Sequence, residues 1–287
     1  MNNYFDQFVE SFDFSRHTKR AFLSDLKKFS QWFQDRNREA FKLDRITMRD
    51  VADYRNHLQN TERKAVSTVN RALVTIRRFM EWSVENKLCG KNVAKGVKEI
   101  RRQALAPQGL QADEIRRLFR EAELRQDVRT QCILSLFLYT GCRISDLVEL
   151  EINDITIGPR SGAVVFRCGK GNKQRTAPLP NQARQAIQSW LTVRPHTTSN
   201  RLFIGKKGDM TDKGIRNIVY KYGRFCNIQN LHPHAFRHCY CLAYLKGNPG
   251  DLPGLAQIVG HENIATTTRY SQKSKEELDQ ASENVDY

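Results

Sequence analysis

The residues best suited to chemistry fall in four short stretches of the second half of the chain. In Thr140-Gly141-Cys142-Arg143-Ile144-Ser145-Asp146-Leu147 a glycine ends one helix and an arginine opens the next, where unpaired backbone N–H groups already favour an anion. In Gly169-Lys170-Gly171-Asn172-Lys173-Gln174-Arg175 a lysine sits on a glycine-flanked turn, placed to reach into a groove and protonate an oxygen leaving group. The spacing and the following helix of a GxxxxGK[ST] phosphate loop are absent there. In His232-Pro233-His234-Ala235-Phe236-Arg237-His238 the proline suits a first helical turn, so His234 and Arg237 share a face and can hold one phosphate together. The fourth stretch is Gly260-His261, with Thr268-Arg269-Tyr270 following. Each alone also fits ordinary structure: a surface ion pair, a solvated turn, a core tyrosine. Their ordered conjunction within one basic region is what singles them out. His232, His234, His238, Cys239 and Cys241 crowd together as a metal site would, but zinc sites draw paired ligands from two segments and no second CxxC or HxxxH pair exists. No metal is expected.

These residues must be positioned by a mainly helical chain. Phe22, Leu26, Phe29 and Phe33 recur at helical spacing and predict a helix from about Ser15 to Phe33, which also carries Arg16, Lys19, Arg20, Lys27 and Lys28. Thr47 followed by Asp50 predicts a helix start leading to Leu58. Val69, Leu73, Ile76, Met80 and Val84 predict a longer helix from about Ser67 to Asn86, with Arg71 and Arg78 on another face and Arg77 beside them. Such arginines also suit a solvated helix face. From Cys89 to Pro107 apolar periodicity fades, which predicts an interdomain linker. Helices are then expected near 111–123 and 128–140, the latter ending at Gly141. Short strands follow at 154–157, 163–168 and 174–179, the last two joined as a hairpin, and helices resume at 181–192, 211–225, 234–246, 253–259 and 262–270. The resulting division is a helical domain at 1–88, a linker at 89–107 and a second domain at 108–287.

The chain has 287 residues, 47 Lys and Arg against 31 Asp and Glu, and a formal net charge of +16. The excess is spread, +7 over the first hundred residues and +9 over the rest, as expected of two domains that both face a polyanion such as nucleic acid. The longest apolar stretch, 132–139, is far short of the roughly 20 residues that span a bilayer. The start lacks the basic and apolar regions of a signal peptide, and seven scattered cysteines without a CxxC pair fit a reducing compartment. A cytoplasmic, nucleoid-associated protein with no membrane partner is expected.

In order and spacing, these stretches resemble the tyrosine recombinase (phage integrase) family over nearly the whole chain. TGCRISDL is similar to the family's first arginine box and GKGNKQRTAPLP to its β-hairpin lysine segment. HPHAFRHCYCLAYL and LAQIVGHENIATTTRY are similar to its later boxes, and SRHTKRAFLSDLKKFSQWF to the first long helix of its core-binding domain. The resemblance implies a two-domain, C-shaped clamp: a helical, SAM-like core-binding domain plus an α+β catalytic domain, mainly α with a small antiparallel β-sheet. It implies Arg143 and Arg237 as the clamp on the scissile phosphate, Lys170 as general acid (with Lys173 its nearby rival), His234 and His261 as the two histidines, Tyr270 as nucleophile and Asp146 in support. His234 or Asp146 is the expected aid to deprotonating Tyr270. DNA contacts are expected from Arg16, Lys19, Arg20, Lys27, Arg71, Arg77, Arg78, Lys173 and Arg175. The chain departs from the pattern in the extra His232 and His238, in Cys239-Tyr240-Cys241, and in the Gly/Pro-rich 247–253.

The function so implied is site-specific recombination through a 3′-phosphotyrosyl intermediate and a Holliday junction, without cofactor, metal or ATP. The implied partners are a double-stranded recombination site and three further copies of the chain on synapsed DNA. An accessory DNA-bending protein or a second recombinase is a candidate partner. Leu278, Ala281 and Val285 predict an amphipathic tail helix, which in the family docks onto a neighbouring protomer; packing in cis is the alternative. A start directly on the helical domain favours an Xer-like or transposon-resolving enzyme over an arm-binding integrase. Two other readings stay open: a type IB topoisomerase-like relaxation enzyme, and a non-catalytic DNA-binding accessory protein.

Overall fold

The computed structural model describes residues 2–101, 109–167, 174–261 and 264–270, together with Glu283. The chain divides into two compact units, Met1–Gln103 and Ala104–Tyr287. It is mostly helical with small antiparallel sheets, as the sequence predicts.

The first unit is built on α1 (Asn2–Glu10), α2 (Arg16–Asn37), α3 (Met48–Asn56) and α4 (Val66–Glu85), with a π-helical turn at His57–Thr61. Ser15 caps α2 by accepting from the Thr18 N–H at 3.2 Å, and Thr47 with Asp50 forms a capping box at the start of α3. The predicted stripe Phe22, Leu26, Phe29, Phe33 is buried against Leu73, Ile76, Phe79 and Met80 of α4. Helix α1 is absent from the sequence expectations, although Phe5, Phe8 and Val9 at helical spacing are buried in this core, Phe8 edge-on to Phe79 at 5.5 Å. A second difference concerns the predicted linker. Residues 89–100 strap back over α4: Ala94 and Val97 are buried, the Asn70 side chain pairs with both backbone groups of Ile100 at 2.9 Å, and Arg77 donates to the Val97 carbonyl. Irregular backbone satisfied by side chains has no period, so apolar spacing cannot reveal it.

The second unit centres on α6 (Val128–Thr140), whose Ile133, Leu134, Leu136 and Phe137 are fully buried. Around it lie α5 (Ala112–Leu124), α7 (Ile144–Val148), α8 (Asn181–Val193), α9 (Asp212–Phe225) and α10 (Pro233–Gly247). Strands β1 (Ile155–Ile157), β2 (Gly162–Phe166) and β3 (Arg175–Pro178) form an antiparallel sheet in that order, with Phe166 opposite Arg175. The small pair β4 (Ile204–Gly205) and β5 (Gly208–Asp209) was not expected. Helices α11 (Leu252–Val259) and α12 (Ile264–Thr268) lead to Tyr270. The Gly/Pro-rich connection is ordered by Asp251, which caps α11 through the Gly254 N–H at 2.8 Å and accepts from the Tyr244 hydroxyl at 2.7 Å. The hairpin turn 168–173, with Lys170 and Lys173, and the predicted tail helix lie outside the described residues.

Candidate active site

Two helices stop at glycines, and their ends organise the site. Gly141 after α6 and Gly260 after α11 both take left-handed backbone, φ +59° and +69°. Close approach also demands glycine: a Cβ at Gly141 would meet Tyr240 Cδ1 at 2.6 Å, and one at Gly260 would meet Arg175 Cδ at 2.9 Å. The last carbonyls of α11 receive three arginines. Arg175 donates to Ile258 at 3.2 Å, Arg237 to Val259 at 2.7 Å and Arg143 to Gly260. Arg237 also donates to the Gly141 carbonyl at 2.6 Å, so its guanidinium bridges the two helix ends. The negative pole of a helix dipole makes these carbonyls good cation holders.

The arginines differ in what else they meet. Arg175 forms an ion pair with Asp146, whose side chain is fully buried, and lies over the Phe166 ring at 4.6 Å. Asp146 also accepts from the Arg143 N–H at 2.7 Å, closing the first turn of α7. Arg175, expected as a DNA contact, is therefore an internal strut with only 9% of its side chain exposed. Asp146, expected as an aid to deprotonating Tyr270, turns its Oδ2 to the Arg143 N–H and to Arg175. The sequence could not show this, because the partners are 29 residues apart on different elements.

Arg237 is 3% exposed and points inward, while His234, one turn earlier, is exposed. His232 caps α10, its Nδ1 accepting from the Ala235 N–H at 3.2 Å. His238 lies 2.7 Å from the Tyr270 hydroxyl through Nδ1. That contact is the main feature missed in the sequence; the available signal was the i, i+4 relation that puts His238 on the His234 face. His261 bonds Thr267 Oγ1 at 2.8 Å, with its ring parallel to that of Tyr270. Cys241 is fully buried against Tyr270, and the Cys239 sulfur accepts from the Leu110 N–H.

Titration of these groups reflects burial among cations. Burial and the neighbouring Arg143 pull Arg237 down to about 10. Burial, then Arg237, Arg143 and Arg175, holds His261 down to about 4. His238 is also held down to about 4, by burial and then by His234, His232, Arg269 and Arg237. Burial and Cys241 push the Tyr270 phenol above its ordinary range, against the pull of Arg237 and Arg269. At neutral pH the site thus presents fixed guanidiniums, neutral imidazoles at His238 and His261 and a protonated phenol.

The expected contacts of the first unit divide into two groups. Arg16, Arg20 and Lys27 are exposed, as is Arg78, whose guanidinium lies 5.8 Å from the centroid of the Phe14 ring. Lys19 pairs with Glu10 at 2.5 Å, Arg71 with Asp25 at 3.0 Å and Arg77 with Glu99 at 3.2 Å, so these three have partners within the chain.

Residues 108–277 match the phage integrase family, and residues 1–87 match the phage integrase N-terminal SAM-like domain. Similar curated proteins include tyrosine recombinase XerC of Staphylococcus aureus (strain bovine RF122 / ET3-1), 29% identical over 276 residues, covering 93% of this chain and 89% of that one. XerC of Staphylococcus epidermidis (strain ATCC 12228 / FDA PCI 1200) is 29% identical over 275 residues, at 93% and 90% coverage. Among solved structures, XerA recombinase is 26% identical with a TM-score of 0.56, covering 100% of this chain and 99% of that one. XerH bound to palindromic difH substrate, a post-cleavage complex, shares the fold at a TM-score of 0.77 and 17% identity, covering 93% and 79%. The Tn1549 transposon integrase in complex with circular intermediate DNA does so at 0.74 and 17%, covering 99% of each chain. With both units matched in sequence and in fold, the chain belongs to the phage integrase family and is a tyrosine site-specific recombinase.

Proposed function

We propose that the protein cuts and rejoins duplex DNA through a covalent bond between Tyr270 and the 3′ phosphate of the broken strand. One observation carries this reading: a buried arginine, Arg237, donates to carbonyls at the two helix ends, close to a phenol hydrogen-bonded to an imidazole. A phosphodiester repels nucleophiles, and its transition state places more charge on the non-bridging oxygens. Arg143 and Arg237 supply always-charged donors there, in place of the charge a metal ion would bring. The Tyr270 oxygen attacks phosphorus, and the departing 5′ oxygen takes a proton from Lys170 as general acid. The bond energy is conserved in the ester, so a 5′-hydroxyl from a second strand reverses the step without ATP and builds a Holliday junction.

The exposed Arg16, Arg20, Lys27 and Arg78 would meet phosphates, where contacts position rather than specify. The reaction would serve integration, excision or resolution, carried out by a tetramer joined through its tails; likeness to XerC and to a transposon integrase supports this reading. Deleting residues 275–287 should then abolish recombination and leave DNA binding intact; unchanged recombination rejects the tail role. The chemistry is tested with nicked duplexes tiled from the DNA flanking the gene, incubated in EDTA and resolved on a denaturing gel. The nick lets the short fragment diffuse away and traps the adduct. An adduct lost in Tyr270→Phe supports the reading; tight, salt-sensitive binding without adduct supports a non-catalytic role. Relaxation of plasmids that lack any captured site would favour the topoisomerase.

A further inference from the structure

Tyr270 must lose a proton before it can attack, and its surroundings keep that proton on: burial and Cys241 raise the phenol above its usual range. The candidate acceptors can be compared directly. Asp146 is fully buried, its Oδ2 takes both the Arg143 N–H and Arg175, and neither of its oxygens is hydrogen-bonded to the phenol. His261 is engaged through Nδ1 with Thr267, and its ring lies face to face with that of Tyr270. His234 is exposed at the start of α10. His238 alone of these four has a hydrogen bond to the phenol oxygen, Nδ1 to Oη at 2.7 Å. Resting on the reading of Tyr270 as nucleophile, we infer that His238 is a catalytic residue, the general base that takes the Tyr270 proton.

The step balances. As the Tyr270 oxygen bonds phosphorus, its proton passes to Nδ1 of a neutral imidazole, which becomes imidazolium with Nε2 still protonated. The P–O5′ bond breaks, and the 5′ oxygen takes a proton from the general acid. On rejoining, a 5′-hydroxyl attacks, the phenolate leaves, and His238 returns the proton to it. The charges around His238 determine when this can happen. His232, His234 and Arg237 on α10 and Arg269 beside Tyr270 disfavour the imidazolium, while the Cys241 thiol faces the phenol. In the DNA-free cleft the proton therefore stays on Tyr270. A phosphate seated on the arginines offsets those cations, raises the basicity of His238 and lets the transfer proceed. Substrate binding and arming of the nucleophile become one event, which guards a DNA-cutting enzyme against acting unoccupied.

The experiment measures single-turnover adduct formation on the nicked duplexes from about pH 5 to pH 9 for wild type, His238→Ala and His238→Asn, with and without added imidazole. General-base loss predicts a rate about 10²-fold lower in both variants, an acidic limb that disappears with the histidine, and partial rescue of His238→Ala by imidazole. Circular dichroism and DNA binding establish that each variant is folded. Wild-type rates in His238→Ala, or a full rate in His238→Asn, overturn the inference and leave Tyr270 as nucleophile. No adduct from wild type on any duplex overturns the nucleophile reading, and the base assignment with it. The hydrogen bond has a separate readout in DNA-free protein: the 15N shift of His238 Nδ1 should move in Tyr270→Phe, and an unmoved shift overturns the pairing whatever the DNA result.

Discussion

Both units bury a charged side chain, but they compensate it in opposite ways. In the first, Asp25 lies under the surface of α2 with Arg71 at 3.0 Å and the Thr75 hydroxyl at 3.2 Å. Burial raises its carboxyl above the usual range, yet one anion has met one cation and the account is closed within the chain. In the second, Asp146 offsets Arg175, but Arg237 is held by neutral carbonyls with further guanidiniums close by. The charge of Asp25 is matched within the chain, whereas that of Arg237 meets carbonyl dipoles beside other guanidiniums, which suits it to an anion from outside. Both cases obey the same desolvation physics, and they differ in where the counter-charge comes from.

The comparison can be broken most sharply through Arg237. Arg237→Ala should lower adduct formation on the order of 10²–10³-fold, about 2.7–4 kcal/mol in the barrier, while Asp25→Asn leaves the rate at saturating DNA unchanged. Equal losses in a single-turnover assay would erase the distinction. Next in size is Asp146→Ala, which strands Arg175 as a buried cation and should destabilise the fold by about 3–5 kcal/mol in urea unfolding. An unmoved midpoint would mean the strut carries no weight. Third, an inorganic anion such as pyrophosphate at ten times its Kd should add about 1.4 kcal/mol, read as a rise in Tm, and Arg237→Ala should remove that rise where Asp25→Asn keeps it.

The smallest effect is on pH dependence. His238 and His261 titrate near 4 in the folded chain, below the ordinary histidine value, so the unfolded chain binds more protons between about 4 and 6.5. Their contribution to stability is fully present above about 6.5 and is lost as pH falls towards 4. Partial exposure of both rings damps the size. A double His238→Gln, His261→Gln variant should flatten Tm against pH across that window, and an unchanged slope would place the dependence elsewhere.

Much of the fold was legible because apolar spacing records burial directly. Phe22, Leu26, Phe29 and Phe33 predict α2, and the Thr47–Asp50 pair marks the start of α3. Gly141 signals the end of α6 because only a left-handed residue stops the helix there. The strap at 89–100 was not legible, since its order comes from Asn70 and Arg77 reaching across from α4. In the site, residue order and spacing single out Arg143, Arg237, His261 and Tyr270, and the fold places them near the end of α11. Spacing does not distinguish a cation that faces outward from one that braces the interior, so it suggests a surface contact for Arg175 where the fold makes a strut. Spacing gives His238 no role, because its partner lies 32 residues away.

The end of α11 has a consequence for inheritance. Three arginines from three separate elements lean on carbonyls 258, 259 and 260, so their positions are not independent traits. A substitution such as Gly260→Ala, forced into left-handed backbone with its Cβ against Arg175, would shift all three at once. Changes at Arg143, Arg175 and Arg237 should therefore combine non-additively, each depending on the register the others share. In the second domain these three arginines share one helix terminus as their common support.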